Sequence, residues 1–100
     1  MIEIRQSDVF EKWFLKLRDP SAKARIEIRL RRVALGNLGD VKYIGDGVSE
    51  IRVDYGPGYR VYFTRIGEIV ILLLCGGDKA SQDRDINTAK TIAEKYRGIP

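Results

Sequence analysis

GVSEIRVDYGPGYRVYFTRIGEIVILLLCGGDK, residues 47–79, is the segment that decides the fold of this chain. Apolar and polar side chains alternate over residues 48–55 and again over residues 59–64. Strict alternation is typical of strands with one buried face. Between them lies Gly56-Pro57-Gly58, which favours a tight turn because proline presets φ and glycine accepts positive φ. The pattern predicts a β-hairpin.

The hairpin has one apolar face and one polar face. If Tyr55 pairs with Tyr59 across a three-residue loop, Asp54 lies opposite Arg60 and both apolar faces point to one side. The opposite side then gathers the polar side chains of Glu50, Arg52, Asp54, Arg60 and Tyr62. This surface is either a solvated face with cross-strand ion pairs or a functional site.

A third strand follows at residues 69–75, IVILLLC, which is apolar on both faces. Such a run belongs in the middle of a sheet that is covered on both sides. Gly76 and Gly77 follow, and glycines at a strand end allow a sharp turn or close approach to a ligand. If this strand pairs with residues 59–64, Asp78 and Lys79 lie beside the polar face of the hairpin.

Two helices precede the hairpin. The first begins at Ser7 or Asp8, and the second begins at Asp19, where Pro20 takes the first helical position. Each helix carries one apolar stripe at helical spacing, as expected of an αα-hairpin that packs on a core. The stripes are Phe10, Trp13, Phe14 and Leu17 in the first helix, and Ala22, Ile26, Leu30 and Val33 in the second.

Two other stretches carry candidate binding residues. Arg25, Arg29 and Arg32 share one face of the second helix, which is either a solvated face or a docking surface for an acidic peptide or an RNA backbone. Residues 37–47 read as a loop that brings Lys42 toward the hairpin, as a surface lysine or as a site residue.

A last helix is predicted after Lys79, with Ser81 at its N-cap and Gly98 at its end. It either covers one face of the third strand or forms a mobile part that a partner displaces.

Composition limits the chemistry. The chain has 100 residues, which make one domain, and its hydrophobic content of 44% and charged content of 32% are typical of a soluble globular protein. It lacks histidine, which argues against His-based acid–base catalysis and most zinc sites, so we expect no metal and no cofactor. Cys75 stands alone in an apolar run and is expected to be a buried hydrophobe.

Charge and hydropathy limit the partners and the location. The net charge of +4 is compatible with a polyanionic partner. We expect a cytoplasmic protein without a membrane partner, because no apolar run is long enough to cross a bilayer and no signal-peptide pattern opens the chain.

Four features of the chain stand out: a strand–helix–helix–three-strand order, Glu50-Ile51-Arg52, GPGYRVYF at residues 56–63 and LLLCGGDK at residues 72–79. Together they make the chain resemble the RelE/ParE superfamily of toxins from type II toxin–antitoxin modules. Within it, the chain is most similar to the small HigB-like group of addiction module killer proteins. The resemblance covers nearly all of residues 1–96. It implies one α+β domain over residues 1–100: a small antiparallel sheet in β-α-α-β-β-β-α order, an αα-hairpin packed on one face and a C-terminal helix.

The resemblance also implies partners and a site. A cognate antitoxin wraps such toxins and blocks their site. RelE-like and HigB-like members cleave mRNA in the ribosomal A site, whereas ParE-like members poison DNA gyrase. In the nucleases, the arginine after the hairpin turn holds the scissile phosphate, which matches Arg60. The arginine of the first hairpin strand matches Arg52, and the end of the last strand matches Asp78 and Lys79. Several relatives use a histidine there, which this chain lacks.

Metal-free cleavage by the 2′-OH needs a base, a group that neutralises the phosphorane and an acid for the 5′ oxygen. We assign the phosphorane to Arg60 with support from Arg52, and Lys79 is the candidate acid or second phosphate ligand. Glu50 or Asp78 is the candidate base, although Glu50 has the alternative role of orienting Arg52. The candidate RNA-binding residues are Tyr62, which would stack on a base, and Lys42, Arg25, Arg29 and Arg32.

The alternatives are a gyrase inhibitor that binds through its helical hairpin and a non-toxic, partner-binding relative. The nuclease hypothesis predicts that an Arg60→Ala protein keeps its fold and loses toxicity.

Overall fold

The computed structural model describes residues 1–96 in full and the backbone of Arg97. The elements in chain order are β1 (Glu3–Gln6), α1 (Asp8–Lys16), α2 (Pro20–Ala34), β2 (Val41–Gly45), β3 (Val48–Val53), β4 (Tyr59–Ile66), β5 (Val70–Asp78), a 3-10 turn (Lys79–Ser81) and α3 (Gln82–Arg97). The predicted α+β class is confirmed. The expected helix end at Gly98 lies outside the described residues.

The sheet has five strands in the order β1-β5-β4-β3-β2. It is mixed, since β1 runs parallel to β5 while every other neighbouring pair is antiparallel, so the prediction of a purely antiparallel sheet is wrong at this edge. The predicted loop over residues 37–47 is also wrong, because β2 lies within it. Its turn to β3 is Asp46-Gly47, with φ values of 54° and 78°, and such a pair at positive φ is a strong hairpin signal.

The β3–β4 hairpin has a longer loop than predicted. Val53 pairs with Tyr59, and Arg52 pairs with Arg60, so residues 54–58 form the loop and the expected Tyr55–Tyr59 pairing is wrong. The register differs by two residues, and a shift by an even number leaves every side chain on its predicted face. The division into one apolar and one polar face therefore stands.

One face of the sheet packs against α1 and α2. Ser7 is the N-cap of α1: its hydroxyl accepts from the Phe10 amide and donates to the Leu74 carbonyl at 2.6 Å, which ties the start of the helix to β5. Asp19 and Pro20 begin α2 as predicted. The buried side chains of this layer are Phe10, Ile26, Val33, Ile51, Val53, Val61, Phe63, Ile71 and Leu73.

The other face packs against α3, which buries the polar side of the hairpin. Its core comprises Val48, Tyr62, Leu72, Leu74, Cys75, Ala89 and Ala93. β5 has buried side chains in both layers and lies between β1 and β4, so the predicted interior strand, covered on both sides, is confirmed, although the middle strand of the five is β4. The interpretation of the hairpin's polar side as a solvated face is wrong over most of its length, because Glu50, Tyr62 and Thr64 are buried. None of the described helices is both long and apolar enough to cross a membrane.

The double glycine at the end of β5 serves close packing within the protein. A Cβ at Gly76 would overlap the Trp13 ring of α1, and a Cβ at Gly77 would overlap the Asp85 carboxylate of α3. Each glycine therefore allows one helix to approach β5 from one face. The close approach at these glycines is made by Trp13 and Asp85, which line a cavity of about 730 Å³ together with them.

Two buried groups are expected to make the folded protein less stable at alkaline pH. Burial, with the charge of Asp85, raises the pKa of the Cys75 thiol to about 12, and burial, with the charge of Glu50, raises the pKa of the Tyr62 hydroxyl. Both groups are therefore neutral in the folded state at pH values where the unfolded chain ionises. We expect the free energy of unfolding to fall above about pH 8.5 by about 1 kcal/mol per pH unit.

Urea denaturation across this pH range measures the effect. In Cys75→Ala the thiol no longer titrates, so the decline should begin about one pH unit higher, where the unfolded tyrosine starts to ionise. An unchanged onset in that variant would contradict the assignment to Cys75.

Candidate functional site

A cavity of about 360 Å³ opens at the end of the sheet where β3 finishes and β4 begins. It brings together three of the five predicted catalytic residues, Arg52, Arg60 and Lys79. The full lining is Asp40, Arg52, Val53, Asp54, Gly58, Tyr59, Arg60 and Lys79, and within the described part of the chain no residue of α3 contributes to it. The polar face of the β3–β4 hairpin is therefore buried under α3 along part of its length and is open and cationic at the end with the cavity.

Strand register explains why these side chains meet. Arg52 pairs with Arg60 across β3 and β4, and Arg60 pairs with Gly77 across β4 and β5. Paired residues of antiparallel strands point to the same face of the sheet. Arg52 and Arg60 are therefore neighbours on one face, and Gly77, which has no side chain, lies next to Arg60 on that face. Lys79 follows two residues later, in the 3-10 turn, and is exposed.

Arg60 is held from the interior of the protein. Its side chain is 13% exposed, its Nε lies 3.4 Å from Glu50 Oε2 and its Nη1 donates to the Gly58 carbonyl at 3.3 Å. The Glu50 side chain is 1% exposed, and its Oε2 also accepts from Gln82 Nε2 at 3.1 Å. A buried carboxylate and a carbonyl therefore hold the guanidinium in place before any ligand arrives. Of the two candidate roles for Glu50, the orienting one fits, but toward Arg60 rather than Arg52.

A polar cluster lies between β3, β4 and α3. Glu50 pairs with Tyr62 across the strands, and three buried atoms of the cluster have no hydrogen-bond partner: Glu50 Oε1, Arg60 Nε and Tyr62 Oη. Buried polar groups without hydrogen-bond partners cost free energy, which the ion pair between Arg60 and Glu50 offsets in part. The Tyr62 ring is fully buried, which corrects the expectation that it stacks on an RNA base. Glu50 is likewise too buried to serve as the base in this conformation.

Arg52 is oriented by a residue that the sequence interpretation missed. Asp40 Oδ1 accepts from Arg52 Nη2 at 2.8 Å and from Nε at 3.2 Å, and the Asp40 carbonyl accepts from the Arg52 amide. The hydrogen bond and the charge of Asp40 raise the pKa of Arg52. Asp40 immediately precedes β2, so the unrecognised strand is what places it here.

Asp78 shapes the turn that presents Lys79. Its carboxylate accepts from the amides of Ala80 and Ser81, which makes it the N-cap of the 3-10 turn. Ser81, predicted as the N-cap of the last helix, instead belongs to that turn and hydrogen-bonds Asp85. Asp78 is engaged as a cap and does not line the cavity, which argues against its role as a base.

The four basic residues that were predicted to bind RNA divide into three kinds of placement. Lys42 is exposed and pairs with Glu50, on the same side of the sheet, but lies outside the cavity. Arg25 and Arg32 are exposed on α2 and line a second cavity of about 280 Å³. Arg29 lines it as well but donates to the carbonyls of Arg52, Leu38 and Asp40, so it joins α2 to β3.

Burial lowers the pKa of Arg29, against the opposite effect of the Asp40 charge. Among the described residues, no group of three His, Cys, Asp or Glu side chains is placed to hold a metal ion.

A sequence relative and two solved structures are similar to this chain. No family model matches the chain. An uncharacterised protein of Haemophilus influenzae is 45% identical over 94 residues, which cover 94% of this chain and 95% of that protein. The isolated RelE toxin of Escherichia coli superposes with a TM-score of 0.66 at 15% identity, over 87% of this chain and 98% of that one.

The second structure is a chain of the intact E. coli RelBE toxin–antitoxin complex, with a TM-score of 0.63 at 16% identity, over 78% of this chain and 96% of that one. At such low identity the likeness shows a shared fold.

Proposed function

The chain belongs to the same family as the uncharacterised Haemophilus influenzae protein and has the RelE fold, and we propose that it is the toxin of a type II toxin–antitoxin module that cleaves mRNA on the ribosome. The observation that supports this proposal most strongly is the common cavity of Arg52, Arg60 and Lys79. We also propose that the chain belongs to the HigB-like group, on the basis of the motifs at residues 56–63 and 72–79. With the ribosome as its proposed target, the protein would act in the cytoplasm.

The cationic end suits the charge that develops during phosphodiester cleavage. Attack by the 2′-OH produces a phosphorane with added negative charge, and preorganised cations stabilise it without reorganising. Arg60 is already held by Glu50 and Gly58, and within the described residues its Nη2 has no partner, so it is free to bind a phosphate oxygen. Arg52 is the second, more exposed guanidinium.

Proton transfer falls to the groups that line the cavity. Asp54 is exposed there and forms no ion pair within residues 1–96, so it takes the place of Glu50 and Asp78 as the proposed base. It removes the 2′-OH proton, the 2′ oxygen forms a bond to phosphorus and the bond from phosphorus to the 5′ oxygen breaks. Lys79 protonates the departing 5′ oxygen, and the products are a 2′,3′-cyclic phosphate and a 5′-OH. Tyr59, which also lines the cavity, replaces Tyr62 as the aromatic contact for a base.

The proposed partner is a cognate antitoxin. The RelBE complex contains RelE together with its antitoxin, and a chain of that complex shares the fold described here. We propose that an antitoxin covers the cationic cavity of this chain and thereby blocks access of the mRNA.

A translation reaction with purified components tests the function. Wild-type protein should cut a defined mRNA only when ribosomes are present, and Lys79→Met should slow the cut by about 100-fold or more, since it removes an acid that touches the leaving oxygen. Lys12→Met is the matched control, because Lys12 is an exposed lysine of α1 that lines no part of the cavity. A parallel supercoiling reaction with gyrase completes the design. Inhibited supercoiling with intact mRNA would contradict the nuclease and favour a gyrase inhibitor.

A further inference from the structure

Two cavities that carry basic side chains meet on one surface. The cavity of Arg60 and Lys79 and the cavity of Arg25 and Arg32 share two lining residues, Val53 and Asp54. They therefore adjoin at the end of β3, with the 3-10 turn on one side and the exposed face of α2 on the other. We call this surface the Lys79–Arg32 groove.

Positive charge is spread along the whole groove. Its basic residues are Arg25, Arg29, Arg32, Arg52, Arg60 and Lys79, against the acidic residues Asp40 and Asp54. Lys79 at one end and Arg25 and Arg32 at the other form no ion pair within the described residues. A single phosphate would need only one of these ends. Cations repeated along two adjoining cavities match the repeated charges of a nucleic-acid backbone.

The two ends are held in a defined relation. Arg29 of α2 donates to the Arg52 carbonyl of β3, so the helix is tied to the strand that separates the two cavities. The Arg25 guanidinium lies 4.4 Å from the centre of the Tyr55 ring, and Tyr55 hydrogen-bonds Asp19 at the start of α2. The loop at residues 54–58 therefore contacts α2 directly and forms one surface with it.

We propose that the Lys79–Arg32 groove binds one strand of RNA, with the scissile phosphate near Arg60 and Lys79 and with flanking phosphates on Arg25 and Arg32. This inference rests on the proposed function and extends it from one phosphate to a strand path. It assigns Arg25 and Arg32 to substrate binding and Arg29 to the support of the groove.

Salt-dependent binding of a non-cleavable RNA tests the path without requiring catalysis. The probe is a fluorescent 2′-O-methyl RNA of about 12 nucleotides, whose Kd for the purified chain is measured by anisotropy over a range of KCl concentrations. Removing two phosphate contacts should reduce the slope of log Kd against log salt by about 1.4, since each contact with a single strand adds about 0.7. The test variant is Arg25→Gln with Arg32→Gln.

The matched control is Arg18→Gln with Arg31→Gln, which removes the same charge from exposed positions outside the groove. We expect the control to keep the wild-type slope. If the test variant lowers the melting temperature through loss of the Arg25–Tyr55 contact, Arg32→Gln alone should reduce the slope by about 0.7.

Equal slopes for the test and control variants would overturn the path, as would absence of RNA binding at low salt. Poly-glutamate serves as an acidic protein probe. If the test variant loses affinity for poly-glutamate while its RNA slope is unchanged, the groove binds an acidic protein and the proposal is overturned. The translation assay is read separately. Ribosome-dependent cleavage together with equal RNA slopes would support the proposed function and contradict the RNA path. A reduced slope of the test variant without any cleavage by the wild-type protein would support the RNA path and contradict the proposed function.

Discussion

Arg60→Ala is expected to abolish mRNA cleavage and to lower the free energy of unfolding by about 3–5 kcal/mol. The stability loss follows from Glu50, which is fully buried and whose charge partner would disappear. The sequence predicts that this variant keeps its fold, and the burial of the pair adds the expectation that the folded protein is less stable. Loss of toxicity in this variant alone would not separate a lost phosphate ligand from a destabilised protein.

Arg60→Lys separates the two effects. A lysine keeps a positive charge near Glu50 but cannot reproduce the planar, forked geometry with which a guanidinium binds phosphate. We expect a stability close to that of the wild type and a cleavage rate lower by about 100-fold to 1,000-fold. Urea denaturation and single-turnover cleavage on the ribosome measure the two quantities.

Replacing both residues of the pair by apolar ones is a second control, in which stability should be kept while activity is lost. Glu50→Leu combined with Arg60→Met removes both charges, so stability should recover relative to Arg60→Ala while cleavage stays absent. A folded Arg60→Lys protein that cleaves at the wild-type rate would contradict the role of Arg60 at the phosphorane.

Gly77→Ala is expected to lower the free energy of unfolding by about 1–3 kcal/mol, because the new methyl group would overlap the Asp85 carboxylate. Asp85 belongs to the first turn of α3 and accepts a hydrogen bond from Ser81, so its displacement also moves the turn that carries Lys79. We therefore expect cleavage to fall together with stability. Thermal denaturation and the cleavage assay measure both.

Gly76→Ala provides a comparison on the opposite face of β5, where the methyl group meets Trp13 instead. Asp85→Ala should recover part of the stability of Gly77→Ala, because it removes the colliding group, and should not help Gly76→Ala. Equal effects of Asp85→Ala in both backgrounds would contradict this account of the double glycine.

The local features of the fold were predictable from the sequence because each depends on a few neighbouring residues. Asp19-Pro20 begins α2, and the alternation over residues 48–55 and 59–64 predicts the hairpin and its two faces. The missed strand β2 had a local signal as well, since Asp46-Gly47 favours a two-residue hairpin turn. The wrong β3–β4 register arose because several turns fit the sequence around Gly56-Pro57-Gly58.

The candidate site was predictable to the extent that strand order and side-chain alternation determine it. They were sufficient to place Arg52, Arg60 and Lys79 together, since neighbouring strands must bring their polar residues to the same face. Alternation does not reveal what covers that face. Whether Glu50 meets water or a helix depends on where α3 packs, more than thirty residues along the chain.

The sequence by itself therefore determined which residues share a face and which types of side chain can bind phosphate. Only the tertiary structure decided that Glu50 and Tyr62 are buried, that Asp40 orients Arg52 and that Arg29 supports the groove instead of facing solvent. The physical reason is that strand periodicity is local, whereas burial and ion pairing depend on contacts between elements that are distant in the chain.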